Sequence, residues 1–299
     1  MSKFTHFDKD GKTQMVDVTK KDDTKRVAIA KGLVKVKKET LKAILDKEIN
    51  KGDVLEIARI AGIMGGKKTS DLIPMCHPLL ISKIGIEFTI SEHENSITIY
   101  ATTKTTGKTG IEIEALTAVS IAALTIYDMC KAMDRSIEIG EIKLLKKSGG
   151  KTGVFLSDDL KGEVTNVFIG ELRGTPKTEN EFIELIEDYG VKNDIHATEG
   201  RHQISILANE SVDKFKANDL TLGTFEANII IKGVDLYKFQ IGTQVQFGEE
   251  AIIEITQVGK KDVLMEDHYN TMYHEGVFAK VIKSGKIFKN DLVQVILND

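Results

Sequence analysis

Two of the chain's three prolines bracket one histidine, in Asp71-Leu-Ile-Pro-Met-Cys-His-Pro-Leu79. Pro74 and Pro78 fix their own φ and push Ile73 and His77 away from helix. That holds Met75, Cys76 and His77 in one orientation. An imidazole titrating near neutrality can move protons or bond phosphate; the bland alternative is a rigid surface turn. A second group is Thr109-Gly-Ile-Glu-Ile-Glu-Ala115. Thr109 and Glu112 have capping-box spacing, so Glu112 has a structural duty open to it. Glu114 is not needed for a cap. Two carboxylates there suit a guanine or pterin edge, or a proton, better than phosphate. A third is Tyr127-Asp-Met-Cys-Lys131. Asp128 and Lys131, three apart, share a helix face. A surface ion pair would contribute little. Residues 115–127 carry no charge, however, and a lysine ending a buried helix is expected to have a lowered pKa and to act as acid or base. In Lys147-Ser-Gly-Gly-Lys151 the glycines permit close backbone approach and the lysines suit phosphate. Taken alone, that segment reads more simply as a solvated linker.

Other chemistries are disfavoured. Gly107-Lys-Thr109 and Gly150-Lys-Thr152 end like phosphate-binding loops, but the required earlier glycine is replaced by Thr102 and Leu145. Cys76 and His77 have no second ligand pair for zinc. Basic residues are not interleaved with aromatics and tryptophan is absent, which argues against nucleic acid. Two cysteines, Cys76 and Cys130, make no disulfide framework. With no apolar run of membrane-spanning length and no signal-like N-terminus, a cytoplasmic protein is expected.

The elements that must position these groups fall into two sets. At 299 residues, two domains are the prior. Residues 1–153 carry 26 Lys+Arg and 20 Asp+Glu, net +6; the remainder carries 15 and 25, net −10. A basic first half suits a polyanion such as a nucleoside triphosphate. Glycines at 149, 150 and 153 mark a boundary, giving domains 1–155 and 156–299 with the linker near 153–160. Helices are expected at 38–46, from Asp53 as cap through 54–71, and at 110–133, the last apolar on most sides and so buried or at a subunit interface. Residues 84–90 and 96–102 alternate as a hairpin around Glu92-His-Glu-Asn95, with a last strand at 142–145. This is an α+β sandwich. The second half shows short strands at 164–169, 203–207, 229–231, 244–247, 251–256, 277–282 and 292–297, and one helix at 179–189. Its class is a mostly-β barrel.

Taken together and in order, these blocks resemble the cyclic pyranopterin monophosphate synthases of molybdenum-cofactor biosynthesis over nearly all of residues 4–153. Thr5-His-Phe, Met15-Val-Asp-Val-Thr19, the Arg26 region, Lys51-Gly-Asp53, Ala58-Arg-Ile-Ala-Gly62 and Leu124-Thr-Ile-Tyr-Asp-Met-Cys-Lys131 fit the same pattern. The resemblance implies a ferredoxin-like fold and a homo-oligomer, a hexamer built as a trimer of dimers with the active site between subunits. It implies a lyase that converts 3′,8-cyclo-7,8-dihydro-GTP into cyclic pyranopterin monophosphate and pyrophosphate. Carried over residue by residue, it assigns Lys131 as general acid/base oriented by Asp128, with Lys51 assisting. His77, Lys21, Arg26 and Lys147 would hold the triphosphate. Glu112 and Glu114 would hold the base edge, beside Met75 and Cys76. No cofactor is required, though Mg²⁺ can accompany the phosphates. Neither nucleic acid nor membrane is an expected partner.

The second half resembles MOSC domains through Asp194-Ile-His196, Arg201-His-Gln-Ile-Ser-Ile-Leu207, Gly223-Thr-Phe-Glu-Ala-Asn-Ile229, Glu254-Ile-Thr-Gln257 and Glu275-Gly-Val-Phe-Ala279. Those domains carry a cysteine after the Thr-Gln strand; here Val258-Gly-Lys-Lys-Asp-Val-Leu-Met265 has none, which disfavours persulfide chemistry. Asp194, His196, Arg201 and Asn228 remain candidates for an anion such as pterin phosphate or molybdate, or as structural turn residues. The rival to an enzyme is a non-catalytic pterin-binding scaffold of the same pathway.

Overall fold

The computed structural model describes residues 10, 12–215, 222–259 and 275–297. The opening Thr5-His-Phe and residues 260–265 of the cysteine-free stretch lie outside the described residues. The chain divides into two compact units, one ending at Ser157 and the next beginning at Asp158.

In the first unit the elements run β1 (Thr24–Lys35), α1 (Lys38–Leu45), α2 (Val54–Lys67), α3 (Thr69–Leu72), β2 (Ile81–Ser91), β3 (Ser96–Gly107), α4 (Glu112–Cys130), β4 (Glu138–Ser148) and β5 (Phe155–Leu156). The sheet order is β2-β3-β1-β4-β5, every pairing antiparallel. This βαββαβ order is the ferredoxin-like α+β sandwich that the sequence leads one to expect. The central strand β1 is the element that periodicity does not reveal, because Thr24-Lys-Arg-Val-Ala-Ile-Ala-Lys31 is rich in lysine and alanine. Its alanines have a reason: Ala28 and Ala30 are fully buried in one cluster with Ala115, Ala118, Ala122 and Ala123 of α4. Small residues on both surfaces let the helix lie close to the sheet.

The same device sets α2 against α4. A Cβ on Gly62 would lie 2.8 Å from the Ala118 carbonyl oxygen and 3.1 Å from Ala122 Cβ, and one on Gly65 would lie 2.6 Å from Ile121. The Gly62→Ala variant is therefore expected to lose about 1–3 kcal/mol by overpacking. A urea midpoint equal to wild type would show instead that α2 can back away without cost. By length and composition α4 is apolar enough to cross a bilayer, but over half of it is buried inside the unit, as a core helix is.

Two expected caps fare differently. Asp53 accepts from the Glu56 amide at 3.2 Å and is further held by Lys47 at 2.8 Å, so α2 starts as expected. The capping box at α4 does not form. The residue before the helix is Ile111, with no side-chain cap, and Thr109 Oγ1 reaches only the Gly110 carbonyl. Glu112 is thereby released for other contacts.

The second unit contains β6 (Lys161–Ile169), β7 (Thr178–Asn180), β8 (Phe182–Ile186), β9 (Gly190–Val191), β10 (Ile204–Ala208), α5 (Asn209–Phe215), β11 (Ile229–Lys232), β12 (Gln244–Phe247), β13 (Ala251–Val258), β14 (Val277–Lys283), β15 (Gly285–Phe288) and β16 (Leu292–Ile296). Strands β11-β10-β14-β13-β12-β16-β6 follow one another, and β6 pairs back to β11, which closes a barrel. Inside-facing aliphatics such as Ile206, Ile253, Val281 and Val295 are at most 1% exposed. The helix expected at 179–189 is absent. Those residues form β7 and β8, because Ile183 and Leu185 alternate inward while β15 supplies a partner edge.

Candidate functional site

The structure gathers the predicted residues of the first unit at the two ends of α4. At its C-terminus, Lys131 caps the helix and its Nζ lies 2.6 Å from Asp128 Oδ1. Lys51, in the loop before α2, reaches Asp128 Oδ2 at 3.3 Å and donates to the Asp128 carbonyl at 2.8 Å. One carboxylate thus holds two ammonium groups. Hydrogen bonds from Lys131 and then Lys51 depress the Asp128 pKa, and the bond to Asp128 raises that of Lys131. The lowered lysine pKa expected from the sequence is not found, for a physical reason. Lys131 stands half-exposed beside an anion instead of being desolvated.

At the N-terminus, Met75, Cys76, His77, Leu79, Thr109, Gly110, Ile113 and Glu114 line a small cavity of about 140 Å³. Glu114 is buried, and loss of hydration raises its pKa, with the neighbouring Glu112 adding to the shift. Burial, then Glu114, pushes up the Cys76 thiol as well. Glu112 instead pairs with Lys147 at 3.1 Å. The two carboxylates therefore differ: Glu112 is neutralised by a cation, while Glu114 faces the cavity as a poorly hydrated acid.

A carboxyl whose folded pKa exceeds its ordinary value holds its proton more tightly in the folded state. Its contribution to stability is present at low pH and is lost as pH rises from the ordinary carboxylate range through the folded value. Glu114→Gln should therefore gain in melting temperature over wild type as pH climbs through that window. A gap between the two proteins that stays constant with pH would contradict this.

The remaining basic residues frame this end. Arg26 donates through Nε to the Gly107 carbonyl at 2.8 Å and through Nη2 to the Lys108 carbonyl at 3.1 Å. Its guanidinium lies against Gly150 and its aliphatic stem against Gly149, which have φ of +75° and +94°; a Cβ on Gly150 would sit 2.5 Å from Nη1. The Lys147-Ser-Gly-Gly-Lys151 segment is thus a packed turn and not a loose linker. His77 donates from Nε2 to the Val16 carbonyl at 2.9 Å, and Lys108, which sequence reasoning passed over, reaches the Thr19 carbonyl at 2.9 Å. Together they pin the segment that carries Lys21, whose side chain is exposed.

At 1.5 Å rise per residue, Glu114 and Asp128 stand about 21 Å apart along α4. Within one subunit the two clusters are therefore separate.

In the second unit, Asp194 is the hub of a buried network. Its Oδ2 accepts from the Gly170 amide at 2.8 Å and Asn228 Nδ2 at 2.7 Å, with Lys177 Nζ at 3.4 Å. Its Oδ1 accepts from the His196 amide at 2.8 Å and faces His196 Nδ1 at 3.1 Å. The Asp194 and Lys177 side chains are almost fully buried, whereas the His196 ring is half-exposed. Hydrogen bonds and Lys177 outweigh burial and hold Asp194 below the usual carboxylate range. Asn228 also accepts from the Ser205 amide and hydroxyl. Three of the four expected residues are thus brought together. Arg201 is the exception: among the described contacts it makes none to these three residues, and its backbone carbonyl instead accepts from the Thr256 hydroxyl. Sequence reasoning missed Lys177; the preceding Pro176, the chain's remaining proline, was the available signal.

A family model described as the MoaC family matches residues 15–150. The cyclic pyranopterin monophosphate synthase of Heliobacterium modesticaldum is 52% identical over 159 residues, covering 53% of this chain and 100% of that protein. The synthase of Syntrophomonas wolfei is 58% identical over 155 residues, covering 52% of this chain and 99% of its own. Among solved structures, the YuaD protein of Bacillus subtilis is similar to 46% of this chain and 97% of its own, with a TM-score of 0.39 and 15% identity.

Proposed function

The chain belongs, through its first unit, to the MoaC family, and on that premise we propose that this unit converts 3′,8-cyclo-7,8-dihydro-GTP into cyclic pyranopterin monophosphate, releasing pyrophosphate. The observation that carries the reading is the Lys51–Asp128–Lys131 cluster, within a chain that matches whole synthases from end to end at 52% and 58% identity. Lys131 rests protonated beside Asp128, so it enters the reaction as an acid. It becomes a base only once that proton has passed to substrate. Lys51, fixed to the same carboxylate, stabilises negative charge that develops as the purine ring opens. Lys147, Arg26 and Lys21 supply positive charge for the triphosphate, and His77 holds the segment bearing Lys21 in place. Glu114, poorly hydrated in its cavity, meets the edge of the base.

The separation of about 21 Å along α4 supports a site completed by a second copy of the chain. We place each active site between subunits, with the Glu114 end from one and the Lys131 end from its partner. This is the homo-oligomeric arrangement that the family resemblance implies, extending to a hexamer. Mg²⁺ would travel with the triphosphate, since Glu112 is already engaged by Lys147 and no metal-binding group of three His, Cys, Asp or Glu occurs among the described residues.

The test is incubation of the full chain with the cyclised GTP intermediate. Pyrophosphate and a pterin that fluoresces after oxidation are the expected products. Neither appearing, with folded protein and fresh substrate, would favour the scaffold reading. Against that reading stands the retention of every lysine and carboxylate of the set. For the second unit we propose anion binding, of pterin phosphate or molybdate, at the outward face of His196. The rest of its network is internally satisfied. Titration of the full chain and of His196→Ala with molybdate and with the pterin product separates this from a purely structural role.

A further inference from the structure

Beyond the groups that face substrate, one buried ion ties the reactive end of α4 to the rest of the fold. Asp134 is 0% exposed, three residues past Lys131. Its Oδ2 accepts from the Lys37 amide at 2.8 Å and the Thr40 hydroxyl at 3.4 Å. Its Oδ1 accepts from the Ser136 amide at 2.9 Å and the Ser136 hydroxyl at 2.7 Å. Lys37 is the residue before α1, which has no side-chain cap of its own, so Asp134 caps that helix from across the fold. The Met133 and Asp134 amides both return to the Cys130 carbonyl at 2.9 Å. The turn that bears Lys131 is therefore clamped between α4 and α1, and α1 leads directly into the loop that carries Lys51. The buried Cys130 thiol lies in this same corner: burial and then Asp134 push its pKa up to about 11, with Lys51 opposing.

A buried carboxylate without a contacting cation is costly, and here four donors offset that cost. An amide in its place would turn an NH₂ group toward one set of those donors and leave buried polar groups unsatisfied. We propose that Asp134 is a positioning residue for the reaction, holding Lys131 and Lys51 in register on Asp128. The proposal rests on the lyase reading of the first unit.

The test compares wild type with Asp134→Asn in the full-length assembly. Well below the melting temperature, kcat should fall by about 10²-fold, the scale of a misplacement near 1 Å. KM should change by less than about twofold, because substrate binding is not what the residue serves. The alkaline limb of the kcat profile should move to lower pH. Pairing with Asp128 is what raises Lys131, with Tyr127 contributing, and a slack turn loosens that pairing. A lower melting temperature with unchanged kcat and an unmoved limb would make Asp134 merely structural and overturn the proposal. If Asp134→Asn does not fold, Ser136→Ala decides. It removes one donor, and a kcat equal to wild type would likewise overturn the assignment. Inactive wild-type protein would instead refute the lyase reading, so the two failures are distinguishable.

Discussion

Lys131→Ala is expected to lower turnover by about 10²–10⁴-fold, the usual contribution of a positioned acid or base. The side chain is half-exposed and bonds only to Asp128 among the described contacts. Its removal leaves no cavity and no buried unsatisfied group, so the melting temperature and assembly should match wild type. Lys51 remains on Asp128 and can supply charge, but it sits on the opposite carboxylate oxygen and does not occupy the vacated position. Pyrophosphate release from the cyclised GTP intermediate measures the effect. Activity within a few-fold of wild type would refute the acid/base assignment.

The second large effect concerns the two ends of α4. Lys131→Ala and Glu114→Ala should each be nearly inactive alone. Mixed, unfolded together and reassembled, they should regain activity. A site drawing Glu114 from the first variant and Lys131 from the second is intact. Random mixing forms such sites in about a quarter of cases, so recovery should approach a quarter of wild-type activity. This follows from the length of α4, which separates the two clusters by about 21 Å at 1.5 Å per residue. Mixtures as inactive as their parents would mean that each subunit builds its site from its own residues, by a rearrangement of the fold seen here.

Much of this was legible from residue order. The strand pair at 84–90 and 96–102, the cap at Asp53, the apolar helix and the short strands of the second half appear where alternation and spacing put them. Each of those signals is local. The misses are cases where a partner element overrides a local pattern. Half of strand β1 is lysine, alanine and glycine, and it is a strand because β3 and β4 flank it on both sides. Residues 179–189 have enough charge and bulk for a helix, yet β15 offers an edge and Ile183 and Leu185 are buried from the strand that pairs with it. Thr109 and Glu112 have capping spacing, but Lys147 competes for the carboxylate and wins.

The sequence by itself determined the candidate site residues, the family of the first unit and the division into a basic half and an acidic half. These depend on residue type and order. Only the tertiary structure decided that Lys131 is raised and not lowered, because exposure and the contact with Asp128 are set by where α4 ends. It also decided that Glu112 and Glu114 have different environments, that Lys177 joins Asp194, and that Asp134 bonds to the start of α1. Above all, the fold runs α4 straight through the core of the first unit. Residues on one continuous stretch of sequence thereby become two separate clusters in space.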